Sequence, residues 1–128
     1  MLMTNLATYQ AQWAYQKYWV MAHSQQHYNQ LRLLFKGNDW SQEKAQQFDE
    51  LIAEAERIEP STKTLRTAYQ HVWGYFKKSA TPSEKERFKE LDDGLEDRAS
   101  EMLVFLQDLT ALYQPTYLQQ SRLILEGV

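Results

Sequence analysis

The chain has no cysteine, only four glycines and three prolines in 128 residues, and no excess of positive charge. Without cysteine, disulfides, thiolate nucleophiles and any iron–sulfur cluster held by the chain's own thiolates are excluded. A net charge of −3 argues against a protein that works mainly by coating nucleic acid, which needs a strongly basic surface. No stretch approaches the roughly 18 to 20 apolar residues of a membrane span. The opening MLMTNLATYQ also lacks the basic region and apolar run of a secretory signal. The expectation is a cytoplasmic protein without membrane contact. A Gly-rich phosphate loop, a nucleophile elbow and the HExxH pattern are missing too. Covalent catalysis would have to rest on an unsignalled Ser, Thr or Lys.

What is present is an ordinary folded composition, 43% hydrophobic and 24% charged, with an aromatic share of 13%. The length suits one domain with one real core, and no internal repeat or low-complexity segment divides it. Alternating apolar–polar runs are scarce and helical periodicity dominates. The pattern predicts a first helix from a cap at Thr4 or Asn5 to about Lys36, where Gly37-Asn38 supplies a stop. Leu6, Tyr9, Trp13, Val20, Leu31, Leu34 and Phe35 share one face; Tyr15, Trp19, Ala22 and Leu33 form a second stripe roughly opposite. A helix apolar on two sides belongs at the centre of a bundle.

A peripheral helix follows from Asp39 or Ser41 to Ile58, with Ala45, Phe48, Leu51, Ile52, Ala55 and Ile58 on one stripe. Glu59-Pro60 breaks it. A third helix covers about Ser61 to Ser79, burying Leu65, Ala68, Tyr69, Val72, Tyr75 and Phe76. Gly74 within it costs about 1 kcal/mol relative to Ala, which suggests a close approach to the backbone there. Thr81-Pro82-Ser83-Glu84 is a capping box with proline at the first helical position. From it, Phe88, Leu91, Leu95, Ala99, Met102, Leu106, Leu109 and Tyr113 keep one phase across Gly94, predicting one long helix, kinked at most, to Tyr113. Pro115 opens a short last helix. The fold class is therefore all-α, a bundle of about five helices with a long central first helix.

Lys17–Tyr28, KYWVMAHSQQHY, holds two of the three histidines. His23 and His27 are four apart, so on one continuous helix they share a side. His71 sits at the edge of the third helix's apolar face beside Gln70 and Tyr75. If the first and third helices pack together, the three imidazoles converge. Three readings stay open. The bland one is that His23 and His27 are buried polar residues satisfied by Tyr hydroxyls, Ser24, Gln70 or carbonyls. The second is a small-molecule or anion pocket lined by His23, His27, Tyr28, Gln70, His71, Tyr75 and Lys77. The third is a metal site on His23, His27 and His71. Lys77 and Lys78 with Lys85, Arg87 and Lys89 also form a basic run, interleaved with Glu84, Glu86 and Glu90, that reads as a solvated face or an RNA-binding edge.

Lys17-Tyr18-Trp19-Val20-Met21-Ala22-His23-Ser24, continued by Gln26-His27-Tyr28, resembles the KYLLMAHS opening of the bacterial YbgA-like family, a domain of unknown function. Gln70–Lys78, QHVWGYFKK, resembles that family's QHIMGYFKK segment. Tyr117-Leu118 and Gln120 resemble its closing YL-x-x-Q. The chain departs from the family at Arg98-Ala99-Ser100-Glu101-Met102-Leu103, where a Gly- and Pro-containing apolar segment is usual. The family occurs alone or fused to an iron–sulfur domain similar to thiouracil desulfurases. That resemblance implies an accessory role in handling modified nucleobases or RNA, beside an iron–sulfur desulfurase-like partner. The expected function is a binding or accessory module. The alternative is a metal-dependent or histidine acid–base enzyme acting on a nucleobase-type small molecule.

Overall fold

The computed structural model describes residues 5–128, so the Thr4 half of the predicted first cap lies outside the described residues. Among the described residues there are eight α-helices and no strand. They are α1 (Leu6–His23), α2 (Gln25–Leu34), α3 (Gln42–Ala55), α4 (Thr62–Trp73), α5 (Pro82–Asp93), α6 (Leu95–Tyr113), α7 (Thr116–Gln119) and α8 (Arg122–Glu126), with a 3₁₀ turn at Lys36–Asn38. The fold is all-α, as the periodicity requires, but with eight helices rather than about five.

The largest correction is at Ser24. The predicted first helix ends at His23, and the chain folds back as α2. Ser24 is extended, at φ −158° and ψ 113°. Its N–H closes α1 on the Val20 carbonyl (2.8 Å) and its Oγ caps α2 by accepting from the His27 N–H (3.1 Å). The reversal is visible in the aromatic packing. Trp13 lies 5.7 Å from Tyr28 and 6.3 Å from Phe35, ring to ring. A continuous helix would hold Trp13 about 22 Å from Tyr28. No glycine or proline marks this corner; a serine able to cap in both directions takes their place.

The second correction concerns the helix predicted from Thr81 to Tyr113. Its start is as read: Thr81 Oγ1 accepts from the Glu84 N–H (3.1 Å) and Glu84 Oε1 accepts from the Thr81 N–H (2.9 Å). The chain then turns at Gly94, and Arg98 leaves helical geometry at φ −124° and ψ 24°. Phe88 and Phe105 both pack on Trp73, at 4.5 and 6.1 Å. A straight helix would separate those two residues by about 25 Å. The unbroken apolar phase is real, yet it is split between two helices that both pack on Trp73. Similarly, α4 stops at Trp73, and Gly74 caps it rather than sitting inside it. A Cβ at Gly74 would meet the helix's own His71 carbonyl at 3.1 Å, so no distant element approaches there. Gly37 does what its position predicts, ending α2's turn at φ +84°.

The packing keeps α1 central: it lies against α2, α3, α4 and α8, most extensively against α4. Val20, Met21 and Ala22 of α1 are fully enclosed with Ala55, Val72, Phe76, Leu91 and Leu106. Burial of each large side chain in this set contributes about 1.5 to 3 kcal/mol. Of the predicted second-helix stripe, Ala45, Phe48, Ile52 and Ala55 are buried, while Leu51 and Ile58 are half-buried. Leu33 of the expected second stripe stays 63% exposed, because the reversal at Ser24 turns it outward. The C-terminal pair α7 and α8 closes the far side. Arg122 lies 3.9 Å over the Trp19 ring and donates to Glu56 Oε2 (2.9 Å) and Gln16 Oε1 (2.8 Å). Tyr15 donates to Glu126, a second tie between α1 and α8. No described helix is long and apolar enough to cross a membrane.

Candidate functional site

The segments that stand out in the sequence do meet, but through tyrosines. Tyr18 of α1 is buried, and its hydroxyl shares a 2.9 Å hydrogen bond with the hydroxyl of Tyr75, in the turn after α4. Tyr117 of α7 closes the cluster, 6.1 Å from the Tyr18 ring and stacked 6.0 Å from Tyr75. The His71 ring is 6.4 Å from that of Tyr18. Its Nδ1–H donates back to the Thr67 carbonyl (3.1 Å), which leaves Nε2 as the ring's acceptor. Tyr75 is 40% exposed, so the cluster opens to solvent on that side.

The electrostatics of this cluster are one-sided. Lys17 Nζ lies 5.7 Å over the Tyr18 ring and has no acidic partner among the described residues. Burial pushes Lys17 below its ordinary value, and the Arg32 guanidinium pushes it further. Burial and the Lys17 charge hold His71 down. Desolvation raises Tyr117 to about 12 and Tyr18 further still; Tyr28 adds to the rise in both. These phenols therefore remain neutral, as hydrogen-bonding groups, in any ordinary buffer.

His23 and His27 belong to other surroundings. His23 is 6% exposed and lies stacked at 3.7 Å on Trp19, with Nδ1–H donating to the Ile58 carbonyl (2.6 Å). Its Nε2 is buried without a partner among the described residues. His27, 9% exposed, places Nε2–H on Glu54 Oε1 (2.8 Å), while Nδ1 takes the Ser24 hydroxyl (2.7 Å). The serine and the carbonyl answer the bland expectation for these two imidazoles; the carboxylate of Glu54 is an addition that only the α2–α3 contact reveals. The shared-side geometry expected of His23 and His27 does not hold, because the extended Ser24 separates their helices. No partner is common to the three imidazoles. Among the described residues no group of three or more His, Asp or Glu side chains is disposed to hold a metal ion.

The remaining predicted residues are placed as follows. Tyr28 is half-buried against Trp13, Gln70 and Lys77 are exposed, and Tyr75 joins the cluster. Sequence reasoning missed Lys17, Tyr18 and Tyr117 as members of one site. The signal was available, since all three lie inside the motif-like segments. On a helical wheel, however, tyrosines at the edge of apolar faces read as core.

Residues 17–126 match a family described as a protein of unknown function, DUF1722. No curated protein and no solved structure matches the chain. The match takes in every segment that builds the tyrosine cluster, from Lys17 through Tyr75 to Tyr117. The chain belongs to the DUF1722 family.

Proposed function

We propose that the chain is a helical binding or accessory module of YbgA-like type, and that the cluster of Tyr18, His71, Tyr75 and Tyr117 with Lys17 is its site. The ligand class is a planar, anionic one of the nucleobase type, free or within RNA, handled beside an iron–sulfur desulfurase-like partner. One observation carries the reading: three segments far apart in the chain bring exposed Tyr75 and His71 and half-buried Tyr117 together around buried Tyr18, beside a lysine with no acidic partner among the described residues. Partly exposed rings offer stacking surface, which is worth about 1 to 3 kcal/mol per base. Lys17 and Arg32 oppose each other's charge, and an anion between them would relieve that repulsion. Neutral hydroxyls and His71 Nε2 supply the polar contacts that orient a heterocycle.

Titration of the full chain with a nucleoside monophosphate, followed by tyrosine resonances, tests this. Saturable binding should weaken about 5- to 100-fold in Tyr75→Ala, as loss of one stacking partner requires. Lys17→Ala should weaken the monophosphate but not the uncharged nucleoside. Absence of binding at millimolar ligand, or binding indifferent to both substitutions, refutes the assignment. The alternative, a histidine acid–base enzyme on a nucleobase-type small molecule, has one arrangement in its favour: His27, with a carboxylate on one ring nitrogen and a hydroxyl on the other. Nothing in the donor arrangement supports its metal-dependent form.

A further inference from the structure

Three serines cap helices here in the same manner. Ser24, Ser41 and Ser61 each accept a hydrogen bond from the backbone N–H three residues on, at 3.1 Å in every case. Only at Ser24 does an imidazole reach the hydroxyl. His27 Nδ1 is 2.7 Å from Ser24 Oγ, and the opposite ring nitrogen is 2.8 Å from Glu54 Oε1. Because a carboxylate accepts, Glu54 fixes the proton on Nε2 and leaves the Nδ1 lone pair facing the serine hydroxyl. This is the order that activates an alcohol: nucleophile, base, and a carboxylate that orients the base and steadies its protonated form.

We infer that Ser24, His27 and Glu54 form a nucleophilic site that transfers acyl or phosphonyl groups from small activated esters to Ser24 Oγ. Capping uses one lone pair of Oγ, and the hydroxyl proton goes to Nδ1, so the second lone pair is free to attack. The N–H groups of Gln25 and Gln26, the first two of α2, have no partner among the described residues and point from the same helix start. They suit the oxyanion that forms beside Oγ. Both residues are exposed and Ser24 is half-buried, so the position is open to a small reagent.

With an ester, Oγ bonds to the carbonyl carbon as its proton passes to His27 Nδ1. The leaving alkoxide departs with that proton, giving an acyl-serine. Water attacks the acyl-serine, losing a proton to Nδ1, and the carboxylic acid leaves as Oγ regains the proton. With a fluorophosphonate, the Oγ–P bond forms as the hydroxyl proton passes to Nδ1, the P–F bond breaks, fluoride leaves with that proton, and the reaction stops at the adduct. None of these residues belongs to the tyrosine cluster, so this site and the binding of a nucleobase-type ligand at that cluster stand or fall separately.

The test is fluorophosphonate labelling of the full chain, read by intact mass and by peptide mapping. One adduct should form, at Ser24, at least about 10-fold faster than at Ser41 or Ser61, the two capping serines that lack an imidazole. Glu54→Gln, an exposed carboxylate whose change should leave folding intact, should slow the Ser24 adduct about 10-fold or more while leaving other sites alone. Ser24→Asn retains a capping side chain and should fold, yet give no adduct there. A folded wild-type chain in which Ser24 reacts no faster than Ser41 and Ser61 overturns the inference, and so does a Glu54→Gln rate equal to wild type.

Discussion

Replacing Ser24 by alanine removes one oxygen from the corner where α1 becomes α2, and the geometry says what that oxygen is worth. It caps α2 through the His27 N–H, a contact whose loss costs about 1 kcal/mol, within a range of about 0.5 to 2. It also pairs with His27 Nδ1 inside a ring that is only 9% exposed. A buried polar atom left without its partner costs a further 1 to 3 kcal/mol or so. Ser24→Ala should therefore destabilise the chain by about 2 to 4 kcal/mol. Ser41→Ala supplies the comparison, because Ser41 Oγ makes the same cap bond to the Lys44 N–H at 3.1 Å and serves no imidazole. It should cost only about 1 kcal/mol. Urea unfolding followed by far-ultraviolet circular dichroism measures both, with an unchanged slope showing that the two unfold over the same surface. If Ser24→Ala costs no more than Ser41→Ala, the serine–histidine contact does not hold the corner between α1 and α2.

Two further outcomes follow from named contacts. Tyr18→Phe and Tyr75→Phe each remove one end of the 2.9 Å hydroxyl pair, so a double-mutant cycle should show a coupling of about 0.5 to 1.5 kcal/mol, and additive losses would deny the bond. Burial holds His23 below its ordinary value of 6.5, the Ile58 carbonyl pulls it partly back, and the Arg122 charge lowers it further. Above pH 6.5 folded and unfolded chains both carry it neutral and no stability is lost. Below that the unfolded chain binds the proton first, so stability falls as the pH drops, levelling once the folded histidine is protonated too. Lowered His71 adds a loss of the same sign. The slope of unfolding free energy between pH 6.5 and 5 should be shallower in His23→Phe, which keeps the ring on Trp19, and an unaltered slope would remove His23 as its source.

The helical class, most of the buried stripe of α3, the capping box at Thr81 and the stop at Gly37 are all legible in the amino-acid order. Each of these is written in neighbours within one or two turns, where the 3.6-residue period and capping chemistry operate. That order also held the segments that build the tyrosine cluster, Lys17–Tyr28 and Gln70–Lys77 together with Tyr117. Where the helical runs reverse is set by long-range packing instead. The apolar phase through Ser24 and through Gly94 is compatible with a straight helix and with a hairpin alike. The choice falls to contacts between distant rings: Trp13 with Tyr28 and Phe35, and Trp73 with Phe88 and Phe105. Those reversals then assigned the histidines. A straight helix would have set His23 beside His27; the fold at Ser24 gives one to Trp19 and the Ile58 carbonyl and the other to Ser24 and Glu54. Partners some 27 and 35 residues away leave no periodic trace, because the chain between them turns before it meets itself.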